Sequence, residues 1–304
     1  MKKKKIVYIF LGFLFLGLIW YLFIKPEDYI IRFKAKTSPG TLYVSTEEWN
    51  LLNQKKGVFT YEIIDKIPYE FLKQNLKKDN LNLTILWSFK SINDSITQIR
   101  AGISEKNKGV YNRITAPFFN TKFKITNLEL IKNYKDGIEF TLKEKFRVHS
   151  IVIDSTPQFD FAYVSLKNIK MRDKASQMMK NNSTILAFLK ENDIEVEGLP
   201  VIIVEDWNVE KNIINYKFGF QIKYKDSLPI DSLIKFGRTK SKKALKAIYN
   251  GNYIGSDKAW FALFEYAKRR NIEVDKKPLE IFHNNPFIGG NELDWIAEVY
   301  LPIK

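Results

Sequence analysis

The chain has 304 residues, enough for two domains that each have a hydrophobic core. It is 45% hydrophobic and 27% charged, which is typical of a folded protein, and dispersed lysines give it a formal net charge of +15. Because it has no cysteine and only two histidines, disulfides, thiolate nucleophiles and multi-histidine metal sites are excluded.

The N-terminus has the composition of a membrane anchor. MKKKK is followed by IVYIFLGFLFLGLIWYLFI, residues 6–24, which carry no charge. A helix of this length nearly matches a hydrocarbon core of about 30 Å, and Trp20 and Tyr21 lie where aromatic rings favour the interface. The lysines should remain in the cytoplasm, so we expect an uncleaved single-pass anchor over residues 1–25 with the remaining chain outside. The alternative is a cleavable signal peptide, for which IKPEDY is a poor cleavage sequence.

The sequence of residues 26–145 predicts a domain that contains both strands and helices. DYIIRFKAKTSPGTLYVSTEEW predicts a strand and then a helix that begins at Ser38 and Pro39. The runs VFTYEIIDKIPYEFL, LNLTILWSFKSI and SITQIRAGIS predict antiparallel strands, and NTKFKITNLELIKNYKDGIEFTLKEK predicts a late helix. This order of elements resembles the START-like (SRPBCC, polyketide-cyclase-like) helix-grip fold, which implies an apolar cavity. The alternative is a β-rich scaffold without a ligand.

Residues 146–304 contain an internal repeat. KENDIEVEGLPVII and KRRNIEVDKKPLEI share five residues in the same order: Ile194, Glu195, Val196, Pro200 and Ile203 match Ile272, Glu273, Val274, Pro278 and Ile281. A strand and an amphipathic helix precede each segment, and two strands follow it; Ser256 or Asp257 could cap the second helix. This predicts an α+β fold in which a duplicated β-α-β-β unit forms one antiparallel sheet with both helices on one face.

The last strand, WIAEVYLPI, contains a single carboxylate. Side chains alternate across a strand, so one face carries Trp295, Ala297, Val299 and Leu301, and the other carries Ile296, Glu298, Tyr300 and Pro302. The second set should line a groove on the face opposite the helices. In the first repeat the partner of Glu298 is Gly219, which should leave empty space.

A groove with an acid at its floor suits a flat apolar molecule or an apolar cation. Partial desolvation would raise the pKa of Glu298 and let it act as an acid or a base. The alternative is that Glu298 lies on an edge strand and reaches solvent.

The segments FAYVSL, NDIEVEGLPVIIVEDW, NGNYIGSDKAWFALFEYAKRRNIEV, KPLEIFHNNP and AEVYLPIK resemble the GyrI-like family. This is the effector-binding domain of bacterial AraC-type and MerR-type multidrug regulators. The resemblance implies a hydrophobic cleft and a buried glutamate, here Glu298, that contacts lipophilic and often cationic ligands. It also implies cleft aromatics at Tyr163 and Tyr253. Asn284-Asn285-Pro286 stands in place of the usual Asn-Asp-Pro, which we expect to alter a turn and not the cleft.

These features favour a membrane-anchored protein that captures a small lipophilic or cationic aromatic ligand, with Glu298, Tyr300, Ile296, Tyr253 and Tyr163 as binding residues. The alternative is a hydrolase in which Glu298 is the general base, since some members of the family resemble hydrolases. A transcriptional regulator is the third hypothesis, and the sequence predicts no helix-turn-helix segment for it. We expect no metal, no cofactor and no nucleic-acid partner.

Overall fold

A computed structural model describes residues 2–78, 81–149 and 151–304. The chain is α+β with two antiparallel sheets and an apolar N-terminal helix, as predicted. It divides into two compact units, Met1–Glu139 and Phe140–Lys304.

The N-terminal helix is α1 (Lys2–Ile19), which continues into a π-helical turn (Trp20–Ile24). The segment Lys5–Ile24 is long and apolar enough to cross a membrane, with a mean hydropathy of 2.4, and it is not buried by the rest of the chain. A signal sequence near the N-terminus can meet the same criteria of length and apolar composition, so the helix by itself decides neither retention nor orientation.

The first unit also contains β1 (Tyr29–Ala35), α2 (Pro39–Lys55), β2 (Thr60–Ile67), β3 (Phe71–Lys78), β4 (Leu81–Ser91), β5 (Thr97–Glu105), α3 (Gly109–Thr115) and most of α4 (Lys122–Glu144), whose last five residues follow Glu139. The sheet order is β1-β5-β4-β3-β2, and every neighbouring pair is antiparallel. The run VFTYEIIDKIPYEFL is divided between β2 and β3. The chain turns after Pro68 at Tyr69, whose φ of 67° ends the extended conformation.

Local sequence and aromatic packing explain the helices of this unit. Ser38 caps α2 by accepting a hydrogen bond from the backbone N–H of Thr41 (3.4 Å), and Pro39 occupies the first helical position. Tyr134 of α4 packs on Trp87 of β4 with ring centroids 4.8 Å apart. Both rings are buried, so aromatic side chains fill space between α4 and the sheet where the helix-grip resemblance implies a cavity.

The second unit contains β6 (Phe146–Val148), β7 (Val152–Ser155), β8 (Asp160–Lys170), α5 (Lys174–Glu191), β9 (Val196–Asn208), β10 (Ile213–Ile222), β11 (Lys235–Arg238), β12 (Lys243–Gly251), α6 (Asp257–Arg269), β13 (Leu279–Phe282) and β14 (Ile296–Pro302). The sheet order is β11-β8-β10-β9-β13-β14-β12-β6, and β7 also pairs with β12. The predicted repeat is confirmed as β8-α5-β9-β10 followed by β12-α6-β13-β14. The two copies meet where β9 pairs with β13.

The two faces of this sheet are those predicted for WIAEVYLPI. Lys174 of α5 and Trp260 of α6 both contact Glu280 of β13, so the helices lie on the same face. Glu298 is paired with Ile248 and Ile281, and its side chain lies on the opposite face. We call these the helix face and the open face.

Gly219 of β10 does not leave empty space on the open face. It is paired with Tyr163, and a Cβ added to it would clash with the carbonyl oxygen of Ala162 and lie 2.8 Å from the carbonyl carbon of that residue. The expectation of space at this position was wrong, because the backbone of β8 approaches too closely for any side chain.

Candidate functional site

Groups of the protein itself surround Glu298. The Tyr300 hydroxyl donates a hydrogen bond to its Oε2. The Lys246 ammonium lies 3.2 Å from Oε2, and His283 Nε2 lies 3.4 Å from Oε1. The side chain is 23% exposed, so it is neither in a dry cleft nor free in solvent.

The expected rise in the pKa of Glu298 was wrong. Burial raises its pKa, but the hydrogen bonds from Tyr300 and Lys246 and the nearby positive charge outweigh burial, so the pKa lies below the usual glutamate value. The pKa of Tyr300 is raised to about 12, first by burial and then by Glu298. Glu298 is therefore an ionised, hydrogen-bonded carboxylate at neutral pH and a weak general base.

Glu298→Gln is expected to lower the free energy of unfolding at pH 7 by about 1 kcal/mol, because it removes a charge-assisted hydrogen bond in a partly exposed site. Since the pKa is lowered on folding, this stabilisation is complete above the unfolded value of about 4.3 and is lost as the pH falls through the folded value. The difference between variant and wild type, measured by urea unfolding from pH 7 to pH 3, should therefore shrink as the pH falls. Glu210→Gln, at an exposed turn position, should have no effect. An effect of Glu298→Gln that is as large at pH 3 as at pH 7 would contradict the assignment.

Lysine side chains also lie over aromatic rings of the open face. Lys217 Nζ lies 4.8 Å from the ring centroid of Tyr163, and Lys246 Nζ lies 5.0 Å from that of Tyr300. A cavity of about 330 Å³ on this face is lined by more basic than acidic residues: Lys217, Arg238, Lys240, Lys242 and Lys277 against Glu205 and Asp275. The open face therefore offers a cationic ligand neither a free ring at these positions nor a favourable field.

The seam between the two repeats opens at Pro200. Pairing of β9 with β13 runs through Val201–Ile281, and the next pair in this register would be Pro200–Phe282. The backbone N–H of Val204 donates to the carbonyl of Pro278 (3.0 Å). Because bonded pairs alternate in an antiparallel ladder, Pro200–Phe282 would also be a bonded pair, and proline has no N–H to donate. The strands separate here.

A cavity of about 340 Å³ occupies this opening, which we call the seam cavity. Its apolar lining comes from α5, β9, β10, β13, the turn after β12 and the loop between β13 and β14: Ala175, Met178, Met179, Leu186, Leu199, Pro200, Phe218, Phe220, Ile254, Phe282, Pro286, Phe287 and Trp295. Its polar lining is Asn182, Asn252, Tyr253, His283, Asn284 and Asn285. Its volume and composition are typical of small-molecule sites.

Tyr253 is the predicted binding residue that lines the seam cavity. Its hydroxyl donates to the carbonyl of Ile296 (2.9 Å) and accepts from the backbone N–H of Asn284 (2.9 Å). Its ring packs on those of Phe282 and Trp295, with centroids 4.7 and 5.6 Å away. Burial raises the pKa of Tyr253 to about 12, so it is neutral at physiological pH.

The other predicted residues do not line the seam cavity. Glu298 reaches it only through His283, which contacts Glu298 on one side and lines the cavity on the other. Tyr300 and Tyr163 lie on the open face, and Ile296 holds Tyr253 through its carbonyl.

The turn formed by Asn284, Asn285 and Pro286 belongs to the cavity, contrary to expectation. Asn284 Oδ1 accepts a hydrogen bond from the backbone N–H of Ile296 (2.8 Å), and Asn285 Oδ1 accepts one from that of Phe287 (3.0 Å). The first bond holds the turn against the start of β14, and the second fixes the turn itself, which forms part of the cavity wall.

A buried ion pair lies on the helix face near Tyr253. Lys174 Nζ lies 3.1 Å from both carboxylate oxygens of Glu280, and both side chains are 0% exposed. The ammonium also donates to Ser256 Oγ (2.6 Å) and lies 4.5 Å from the ring centroid of Trp260, whose indole N–H donates to Glu280 (2.6 Å). Ser256 is at the N-cap of α6, but its side chain binds Lys174 and does not cap the helix.

Sequence reasoning missed this pair, although one partner carried a signal. Glu280 is a single carboxylate in the apolar strand LEIF, which is the same pattern that drew attention to Glu298. Lys174 carried no such signal, because a lysine at the start of a helix usually faces solvent.

No family model matches the chain, and no curated protein is significantly similar to it. Similar solved structures include the EcmrR C-terminal domain, with 12% identity and a TM-score of 0.44 over 51% of this chain and 97% of that one. They also include a hydrolase encoded by lin2189 from Listeria innocua (11%, TM-score 0.34, 56% and 98%) and SAV2435 bound to tetraphenylphosphonium (8%, TM-score 0.38, 51% and 94%). These identities and TM-scores are too low to assign this chain a family or a ligand.

Proposed function

We propose that the C-terminal unit binds a small, uncharged and largely apolar molecule in the seam cavity. The observation that carries this proposal is the lining: aromatic, aliphatic and amide groups, with no lysine, arginine, aspartate or glutamate among its described residues. Burial of an unpaired charge in such a site is costly, whereas amides can orient a neutral polar group.

The side chains at the mouth of the cavity favour binding of an apolar ligand. Met179, Ile254 and Phe287 line it and are 50%, 56% and 65% exposed. Apolar side chains that remain exposed around a cavity bury further surface when a ligand covers them, which contributes to binding.

The carboxylates on either side of the seam argue against a cationic ligand. Lys246 engages Glu298 on the open face, and Lys174 engages Glu280 on the helix face. A ligand cation would have to displace one of these lysines. The hydrolase hypothesis has no specific support, because the lowered pKa makes Glu298 a weak base and its carboxylate does not line the seam cavity.

The proposal is tested by thermal unfolding of the full chain with three ligands that share one ring system: 2-naphthylmethanol, (2-naphthylmethyl)trimethylammonium and 2-naphthoate. The neutral alcohol is expected to raise the melting temperature most. A ligand at a hundred times its Kd adds about 2.7 kcal/mol to the free energy of unfolding when it binds only the native state.

Met179→Trp should abolish this rise, because the larger side chain fills the mouth of the cavity. Leu233→Trp is the matched control, since Leu233 is 51% exposed and lies outside the cavity lining. A larger shift with the ammonium compound, or a shift that Met179→Trp leaves unchanged, would refute the proposal.

We also propose that the segment Lys5–Ile24 retains the protein in the cytoplasmic membrane, with residues 26–304 outside. The apolar length of the segment supports a membrane span. The lysines that precede it support the orientation. Recovery of the chain from membranes at its full-length mass would show that the segment is not removed, and recovery of a shortened soluble form would refute retention.

A further inference from the structure

Exposed apolar side chains are concentrated in the first unit on α3, the start of α4 and the loop that joins these helices. Seven large apolar side chains lie there: Val110, Tyr111, Ile114, Phe118, Phe119, Ile125 and Leu128. Phe118 is 81% exposed and Phe119 is 64% exposed, values that soluble surfaces rarely combine in neighbouring aromatic residues. We call these seven residues the aromatic patch.

Hydrogen bonds hold the aromatic patch beside the end of the apolar N-terminal segment. The Tyr21 hydroxyl donates to the carbonyl of Arg113 in α3 (3.0 Å), and Arg113 Nη1 donates to the carbonyl of Leu22 (2.7 Å). Arg113 Nε also donates to Asp28 (2.9 Å), and the Arg113 side chain is only 11% exposed. The position of α3 is therefore tied to the last turn of the segment, where a membrane-spanning helix would leave the hydrocarbon core.

The charges near the aromatic patch are mainly positive. Four lysines lie within or next to its stretch of chain: Lys106, Lys108, Lys122 and Lys124. Of the two nearby glutamates, Glu105 is buried and paired with Lys108 (2.7 Å), and Glu129 is exposed on α4. Exposed aromatic and aliphatic groups beside lysines are typical of surfaces that bind membranes containing anionic lipid.

We propose that the aromatic patch docks onto the surface of the bilayer that the N-terminal segment crosses. Phe118 and Phe119 enter the interfacial region, and the neighbouring lysines meet lipid phosphates. The patch and the segment then form one continuous lipid-facing surface, so the first unit rests on the membrane and does not swing freely on a tether.

The absence of cysteine allows a direct test with single labels on the full chain. The Phe118→Cys variant is labelled at its cysteine with an environment-sensitive fluorophore and inserted into vesicles of phosphatidylcholine and phosphatidylglycerol. Phe23→Cys, at a 67% exposed position of the apolar segment, is the lipid reference, and Ile230→Cys, at a fully exposed position, is the water reference. The label at 118 should resemble the lipid reference, with several-fold less quenching by iodide than at 230 and clear quenching by nitroxide-labelled lipid.

A second variant separates docking from mere proximity to the anchor. With the label at Tyr111→Cys, Phe118→Ser/Phe119→Ser should reduce quenching by nitroxide lipid and increase quenching by iodide. No change in this variant, or iodide quenching at 118 equal to that at 230, would overturn the proposal. The proposal would also be overturned if the label at 118 were protected from both quenchers and lost this protection when each vesicle held one copy of the chain. A second copy of the chain, and not lipid, would then cover the patch.

Discussion

Lys174→Met is expected to lower the free energy of unfolding of the C-terminal unit by about 3–5 kcal/mol, because it leaves a buried carboxylate without its counter-charge. Glu280 is 0% exposed, and Lys174 supplies the positive charge 3.1 Å from its oxygens. Among the side chains that the structure describes, the indole N–H of Trp260 is the donor that would remain to it. The loss should appear as faster hydrogen exchange in peptides from β8 to β14.

Two variants check that the missing charge is responsible. Lys190→Met makes the same change in the last turn of α5, where the side chain is exposed, and should have little effect. Lys174→Met/Glu280→Met removes both charges and should recover most of the lost stability, because an apolar pair of similar volume needs no ionic partner. A double variant no more stable than Lys174→Met would show that packing, and not charge, makes Lys174 important.

Gly219→Ala is expected to destabilise the C-terminal unit by about 3 kcal/mol or more, because the new methyl group would meet backbone and not a movable side chain. The atoms in its way are the carbonyl group of Ala162 and the Cα of Tyr163, both in β8. Relief requires β8 and β10 to move apart, which weakens their hydrogen-bonded ladder. Chemical denaturation followed by tryptophan fluorescence measures the effect.

Gly198→Ala is the matched control in the neighbouring strand β9. A Cβ there would meet Oε1 (2.6 Å) and Cδ (2.9 Å) of Gln221, which can rotate away, and the Cβ of Gln221 (3.0 Å), which needs only a small shift. Its cost should therefore be much smaller than that of Gly219→Ala. Equal costs for the two substitutions would indicate that loss of glycine from the sheet, and not the close approach of β8, is what destabilises the unit.

The sequence alone predicted the features that depend on local pattern. The apolar run of residues 6–24, the cap at Ser38, the repeated β-α-β-β unit and the two faces of WIAEVYLPI all follow from spacing within one element or between two similar ones. Periods of 3.6 and 2 are properties of a single helix or strand, so they can be read without knowing what the element packs against.

The tertiary structure decided what surrounds each charged side chain and where the cavity lies. Glu298 was singled out correctly as a lone carboxylate on the open face. Burial raises its pKa, but the hydrogen bond from Tyr300 and the approach of Lys246 from the neighbouring strand outweigh burial and lower it. Lys174 and Glu280 meet although 106 positions separate them along the chain. No periodicity within one helix or strand predicts such a pairing, because it depends on the order of the strands and on where the helices pack.

The location of the seam cavity also depended on register. The sequence placed a groove on the open face, and the apolar cavity instead lies where β9 and β13 separate at Pro200. Proline marks a break in a ladder only when it falls at a bonded pair with the neighbouring strand, and that pairing is known only once both copies of the repeat are assembled. The repeat was therefore determined by the sequence, and the position of the cavity at its seam was determined by how the two copies meet.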